Sequence, residues 1–187
     1  MHEHFYQRIP GFFSFQPVYD LALARMPDQG IWVEVGSWQG RSIAYAVVES
    51  LARGLNLDFN VVDIWTLAQK HRRPGLGTDQ DLYQAFLDNI QPIAQHITVH
   101  RERSDVAADR WADNSIDYVM IDADHSYDAV LRDIRAWWPK IRAGGLLTGD
   151  DLRGSFPGVR QAITEFCQVN DLAWQKQSGC WLLEKPC

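Results

Sequence analysis

Cysteine is scarce in this chain: Cys167, Cys180 and Cys187 are the only three in 187 residues. Their number is odd and their spacing is not that of metal ligands, so no disulfide framework is implied and a reduced, cytoplasmic location is expected. Long apolar runs are missing as well. None approaches the ~18 residues of a membrane span. The start, Met1-His2-Glu3-His4-Phe5-Tyr6, has neither the basic stretch nor the apolar core of a signal peptide. Positive charge is in deficit, with a formal net charge of −6, and the one basic run is Lys70-His71-Arg72-Arg73. A general nucleic-acid binder is therefore not expected. Repeats and low-complexity segments are absent.

What the chain does contain is enough sequence for one domain with a sizeable core, since about 150 residues already bury roughly 70% of their unfolded surface. From residue 30 onward apolar runs alternate with helix-spaced patterns, the signature of βαβ units and a mostly parallel sheet. Strands are expected near 31–35, 57–63, 97–100, 116–121, 145–149, 173–177 and 180–184, with helices over 41–53, 80–90, 127–138 and 158–168. In the last of these, Val159, Ala162, Ile163 and Phe166 share one face. In the helix from 127, Tyr127, Val130 or Leu131, Ile134 and Trp138 are expected to face inward. The two final strands are separated only by Ser178-Gly179, too short for a parallel crossover, so they should form an antiparallel hairpin. Residues 1–29 hold Phe5, Tyr6, Phe12, Phe13, Phe15 and Tyr19, with Pro17 placed to begin a short helix through Met26. They read as a lid or as a cover for the sheet edge or a subunit interface, and 30–187 as the core of a single domain. Residues 66–79 form a second long connection.

Chemistry concentrates at the ends of the expected strands, where ligands bind in open α/β sheets. The first strand runs into Glu34-Val35-Gly36-Ser37-Trp38-Gln39-Gly40, a turn with two glycines that opens a helix whose N-terminus favours anionic groups. The spacing is Gly-x-x-x-Gly, not the Gly-x-Gly-x-x-Gly of nicotinamide-binding units. The second strand ends at Asp63, where a carboxylate can accept hydrogen bonds from both ribose hydroxyls. After the third, Ser104 is placed to read an adenine or to cap a helix over 105–112. The fourth ends in Ile121-Asp122-Ala123-Asp124-His125-Ser126-Tyr127, and the fifth in Gly149-Asp150-Asp151. Carboxylates at two strand ends suggest a metal site.

Taken together, Glu34-x-Gly36-x-x-x-Gly40, Asp63 and the segments around Asp122 and Asp150 resemble the class I S-adenosylmethionine-dependent methyltransferases, from about residue 30 to the end. Within that superfamily, Ile121 to Asp128, Trp138-Pro139-Lys140-Ile141-Arg142-Ala143-Gly144-Gly145, Gly149-Asp150-Asp151 and Gly158-Val159 are similar to the family-24 methyltransferases. A more distant similarity is to the cation-dependent catechol-type O-methyltransferases. The resemblance implies an α/β, Rossmann-like fold: a seven-stranded, mostly parallel sheet of order 3-2-1-4-5-7-6 with strand 7 antiparallel, as the hairpin requires. It implies S-adenosylmethionine as methyl donor. Gly36, Ser37 and Gly40 would surround the methionine moiety, Glu34 would support that turn, Asp63 would hold the ribose, Ser104 would lie near adenine, and Asp122 would border the cofactor. The implied acceptor is a small-molecule hydroxyl on a sugar, a glycoside or a catechol-like ring, with no nucleic-acid or membrane partner. Self-association is left open. Lys70, Arg72 and Arg73 would meet an anionic acceptor or form a solvated loop.

In that sheet the fourth and fifth strands are neighbours about 4.8 Å apart, which brings Asp122, Asp150 and Asp151 together. Carboxylates so close raise one another's pKa unless a cation neutralises them. All-oxygen ligands favour Mg²⁺, Mn²⁺ or Ca²⁺, with Mg²⁺ the first choice. The catechol-type enzymes carry asparagine where this chain has Asp151, which leaves that residue's share open, and the bland alternative is a solvated turn plus a helix cap. His125, three residues beyond Asp122, suits a general base near neutral pH. It also suits a metal ligand or a helix-start residue. Asp124 reads as a supporting residue or cap. Three other readings stay open: a metal-independent methyltransferase, a noncatalytic cofactor-binding domain, and a nicotinamide-dependent oxidoreductase, the last disfavoured by its glycine spacing.

Overall fold

The computed structural model describes residues 3–69, 72, 75–152 and 154–187. Seven strands form one sheet: β1 (Ile31–Val35), β2 (Asp58–Val62), β3 (Ile97–His100), β4 (Ile116–Ile121), β5 (Ile141–Gly149), β6 (Gln175–Gln177) and β7 (Cys180–Glu184). The order is β3-β2-β1-β4-β5-β7-β6. Pairings are parallel except those of β7, which runs antiparallel to β5 and β6. The hairpin closes through Ser178 and Gly179, with φ of 50° and 88°. Two successive positive φ values match the twist that a two-residue hairpin loop needs.

Helices cover both faces. They are α1 (Gln16–Leu23), α2 (Arg41–Ala52), α3 (Asp79–Ile90), α4 (Ser104–Ala107), α5 (Tyr127–Trp137) and α6 (Pro157–Val169). Alternation along each strand splits the core in two, because successive side chains point to opposite faces. Trp32, Tyr118, Met120 and Leu182 pack with α1, α2 and α3, while Val33, Val119, Ile121 and Leu183 pack with α5 and α6. The N-terminal aromatics join the first of these cores. Phe15 and Tyr19 are buried, and Phe13 sits edge-on to Phe15 and tilted against Tyr45. Pro17 lies in the first turn of α1, and a capping box of Thr78 with Asp81 starts α3. Lys70, His71, Arg73 and Pro74 lie outside the described residues.

Three expectations need correction. β5 begins at Ile141 and not near 145, because Gly144, with φ of 71°, lets the strand continue through an irregular register opposite Ile116–Tyr118. In α5 the residue driven inward is Trp137, which is completely buried, whereas Trp138 belongs to a following 3-10 turn. Ser104 does not cap a helix over 105–112. The cap position is Arg103, α4 is one turn long, and the Ser104 hydroxyl accepts a 2.8 Å hydrogen bond from Trp137 Nε1. A buried indole N–H needs a partner, and this hydroxyl is within its reach.

Candidate active site

Register sets the site. Val35 is opposite Val62 and Ile121, with Gly149 opposite Ile121. The next residue after each strand end is therefore Gly36, Asp63, Asp122 or Asp150, and these four stand in one row at the carboxyl edge of the sheet.

On the β1–β2 side, carboxylates organise a turn. Glu34 continues the inward alternation of β1, is 1% exposed, and lies beneath the glycine turn. It accepts hydrogen bonds from Tyr19 Oη at 2.5 Å, Ser37 Oγ at 2.6 Å and Ser42 Oγ at 3.0 Å. Burial raises its pKa to about 7 despite those donors, because the charged form has lost its water. Asp63 Oδ2 accepts from the backbone N–H groups of Ser37 at 2.9 Å and Trp38 at 3.1 Å, and Oδ1 from that of Trp65 at 2.7 Å. Burial raises its pKa as well, the backbone donors working the other way. Asp63 thus ties the end of β2 to the turn after β1. Ile64 beside it is half exposed, an apolar surface at this edge that sequence patterning does not single out.

Both glycines of the turn have left-handed φ, 86° at Gly36 and 88° at Gly40. A Cβ on Gly36 would fall 2.2 Å from the carbonyl oxygen of Asp122, and one on Gly40 would fall 2.7 Å from Ile90 Cγ2. The glycines answer to neighbouring protein as much as to any ligand. Gly36 in particular lets the end of β4 press against the turn, where Asp122 N donates to Val35 O at 2.8 Å.

On the β4–β5 side, carboxylates meet one another. Ligand atoms of Asp122, His125 and Asp151 lie within 4.8 Å of one another. His125 Nε2 is 3.4 Å from Asp122 Oδ1 and 3.0 Å from Asp151 Oδ2. Burial disfavours the imidazolium, but the adjacent carboxylates of Asp122, Asp151 and Asp150 outweigh it and raise the pKa of His125. Asp151 reaches the imidazole from a backbone with φ of 62°, a conformation that short polar side chains tolerate better than most. Asp150 stands apart from this trio, its Oδ1 accepting from Cys180 Sγ at 3.3 Å. Burial and then the charge of Asp122 raise its pKa to about 6. Asp124 caps locally, accepting from Ser126 N at 2.8 Å. Ser104, already engaged by Trp137 and by Asp133, lies under α5.

The sequence assigns no site role to Tyr19, Cys180 or Phe156, which touch Glu34, Asp150 and His125 respectively. Each comes from a distant segment, and no spacing motif links it to its partner.

An open sheet of order 3-2-1-4-5-7-6, with a glycine turn after its first strand and an acid at the end of its second, defines the class I methyltransferase fold. Residues 33–152 match the methyltransferase domain of family 24, and the chain belongs to that family: it is an S-adenosylmethionine-dependent methyltransferase. No curated protein sequence matches it. Among solved structures it is similar to the O-methyltransferase NovP, at 15% identity over 92% of this chain and 77% of that one, with a TM-score of 0.62. CalS11, a TDP-rhamnose 3'-O-methyltransferase of calicheamicin biosynthesis, is 15% identical over 90% and 76%, with a TM-score of 0.58. A Streptococcus mutans protein solved in complex with SAH is 11% identical over 94% and 99%, with a TM-score of 0.62. Among the described residues no helix is long and apolar enough to cross a membrane.

Proposed function

We propose that the protein methylates a hydroxyl of a small molecule, with a divalent cation, Mg²⁺ by first choice, held between Asp122 and Asp151 and with His125 as general base; Asp150, expected as a third ligand, is turned to Cys180 instead. The observation that carries this reading is the convergence of Asp122, His125 and Asp151 at the strand ends directly beside the glycine turn. The donor set fits such an ion: carboxylate oxygens suit hard divalent cations, and one imidazole within reach admits Mn²⁺ as well. When bound, S-adenosylmethionine supplies the activated methyl, and the ion supplies positive charge that makes a nearby hydroxyl easier to deprotonate.

The chain's own residues do the rest. Gly36, Ser37 and Gly40 shape the turn for the cofactor's amino-acid end, Glu34 supports it from below, and Asp63 lies where ribose hydroxyls can meet it. Half-exposed Ile64 offers apolar surface for a flat base. Asp122 and Asp151, both within 3.4 Å of Nε2, hold the Nε2–H, so the acceptor's proton would pass to Nδ1 and the two carboxylates would stabilise the imidazolium so formed. The deprotonated oxygen would then attack the methyl in line, the O–CH₃ bond forming as the S–CH₃ bond breaks and the thioether SAH leaves, with positioning supplying most of the acceleration.

Sugar hydroxyls are the leading acceptor class, supported by the sugar-directed activity in the name of CalS11. Glycosides and catechol-like rings follow, and neither nucleic acid nor membrane is expected to take part. A panel of TDP-sugars, phenolic glycosides and catechol, assayed with Mg²⁺ or with chelator, tests the proposal. Full activity in chelator would sink the metal role. A second reading has specific support: the short distances from His125 Nε2 also suit a metal ligand. Mn²⁺ affinity separates the two, being retained in His125→Gln if the residue is a base and lost if it is a ligand.

A further inference from the structure

α6 and the residue that precedes it press on the segment that carries His125, at three points. The Phe156 ring lies 4.5 Å from the imidazole, centroid to centroid, with the planes at 42°. Two residues on, a Cβ on Gly158 would fall 2.6 Å from Tyr127 N and 3.2 Å from His125 O, so the first turn of α6 rests directly on the backbone of residues 125–127. Farther along the helix, Glu165 Oε2 accepts a 2.7 Å hydrogen bond from Tyr127 Oη. These contacts come from a segment beyond the matched domain, residues 33–152.

We infer that Phe156 is a positioning residue for His125, held in place by the seating of Gly158 on Tyr127. The carboxylates of Asp122 and Asp151 fix one edge of the imidazole but leave its plane free to tilt about that edge. An aromatic ring against one face removes that freedom, because aromatic rings in contact prefer defined relative orientations. Pro157, in the first turn of α6, ties Phe156 to a rigid helix and not to a mobile loop. An error of about 1 Å in placing a reacting group costs on the order of 100-fold in rate, so orientation at this point is worth holding. The inference rests on the proposed role of His125.

The test reads His125 directly. In a proton NMR spectrum of the full chain with SAH, the His125 ring signals are those that vanish in His125→Gln. A neighbouring aromatic ring shifts them, and Phe156→Leu is expected to abolish that shift and broaden the lines, with Phe156→Tyr restoring both. Calorimetric affinity for SAH should stay within about two-fold. On the acceptor identified from the panel above, Phe156→Leu should lower kcat ~10- to 100-fold with KM little changed, and Phe156→Tyr should recover most of it. Gly158→Ala, which keeps the ring but forces the helix away, should reproduce the loss. If Phe156→Leu fails to fold, Phe156→Met and Gly158→Ala carry the same readouts. His125 signals and kcat unchanged in these variants would overturn the positioning role alone. An unchanged rate in His125→Gln would overturn the base as well.

Discussion

Glu34 and Asp63 at one half of the sheet's edge are surrounded by donors, three hydroxyls for the first and three backbone N–H groups for the second. At the other half, Asp122 and Asp151 share a single imidazole, while a thiol serves Asp150. The same residue type therefore does two kinds of work. On the proposed cofactor side the carboxylates are internal struts that shape a turn by themselves. On the proposed acceptor side three carboxylates gather around one imidazole, an arrangement in which a divalent cation would relieve their mutual repulsion.

That contrast can be broken in graded ways. The largest effect should come from chelation: removing divalent ions is expected to abolish methyl transfer while leaving SAH affinity within a few-fold, with activity returning on adding Mg²⁺ or Mn²⁺. Equal loss of SAH binding would dissolve the distinction between the halves. Next, His125→Gln should lower kcat by about 10²–10⁴, the usual value of general-base assistance, with SAH affinity preserved in calorimetry. Asp63→Ala should act in the opposite sense, weakening SAH binding. It should also cost about 2–3 kcal/mol of stability in denaturant unfolding, because it strands backbone donors of Ser37, Trp38 and Trp65.

The smallest effect concerns Glu34. Its pKa rises on folding from 4.5 to about 7, so its contribution to stability is complete below pH 4.5 and is lost as pH climbs through about 7. Glu34→Gln should remove that pH dependence. The fall in unfolding free energy between pH 5 and pH 8 is expected to shrink by ~2–3 kcal/mol, or several degrees in Tm. A pH profile identical to the parent's would show that Glu34 is not the buried strut described here.

The sheet was legible because its signals are local and repeated. Apolar runs marked six of the strands; β6, the polar Gln175-Lys176-Gln177, followed only as the partner of β7 across the two-residue gap at Ser178-Gly179, which dictated an antiparallel pair whatever lay elsewhere. Ends of elements were less legible. The β5 start depended on Gly144 tolerating an irregular register, and Trp138, expected to face inward within the helix, falls instead in the 3-10 turn that follows α5. Of the candidate site, Asp63, Asp122 and Asp150 could be placed at strand ends from their position after apolar runs, and the level register aligned them. Ser104 could not. Its hydroxyl was equally plausible as a cap, and the neighbour that claimed it, Trp137, is 33 residues away.

By itself the sequence determined the class of fold, the strand ends at which chemistry is concentrated, and the kinds of residue available there. Strand periodicity and turn chemistry depend only on neighbours along the chain. Tertiary structure alone decided which carboxylates meet. It turned Asp150 toward Cys180, swung Asp151 through a left-handed backbone to His125, buried Glu34 under Tyr19, and set Phe156 against the imidazole. A residue just past a strand end has left the two-residue alternation that says where side chains point, so its direction is set by whatever distant segment packs against it.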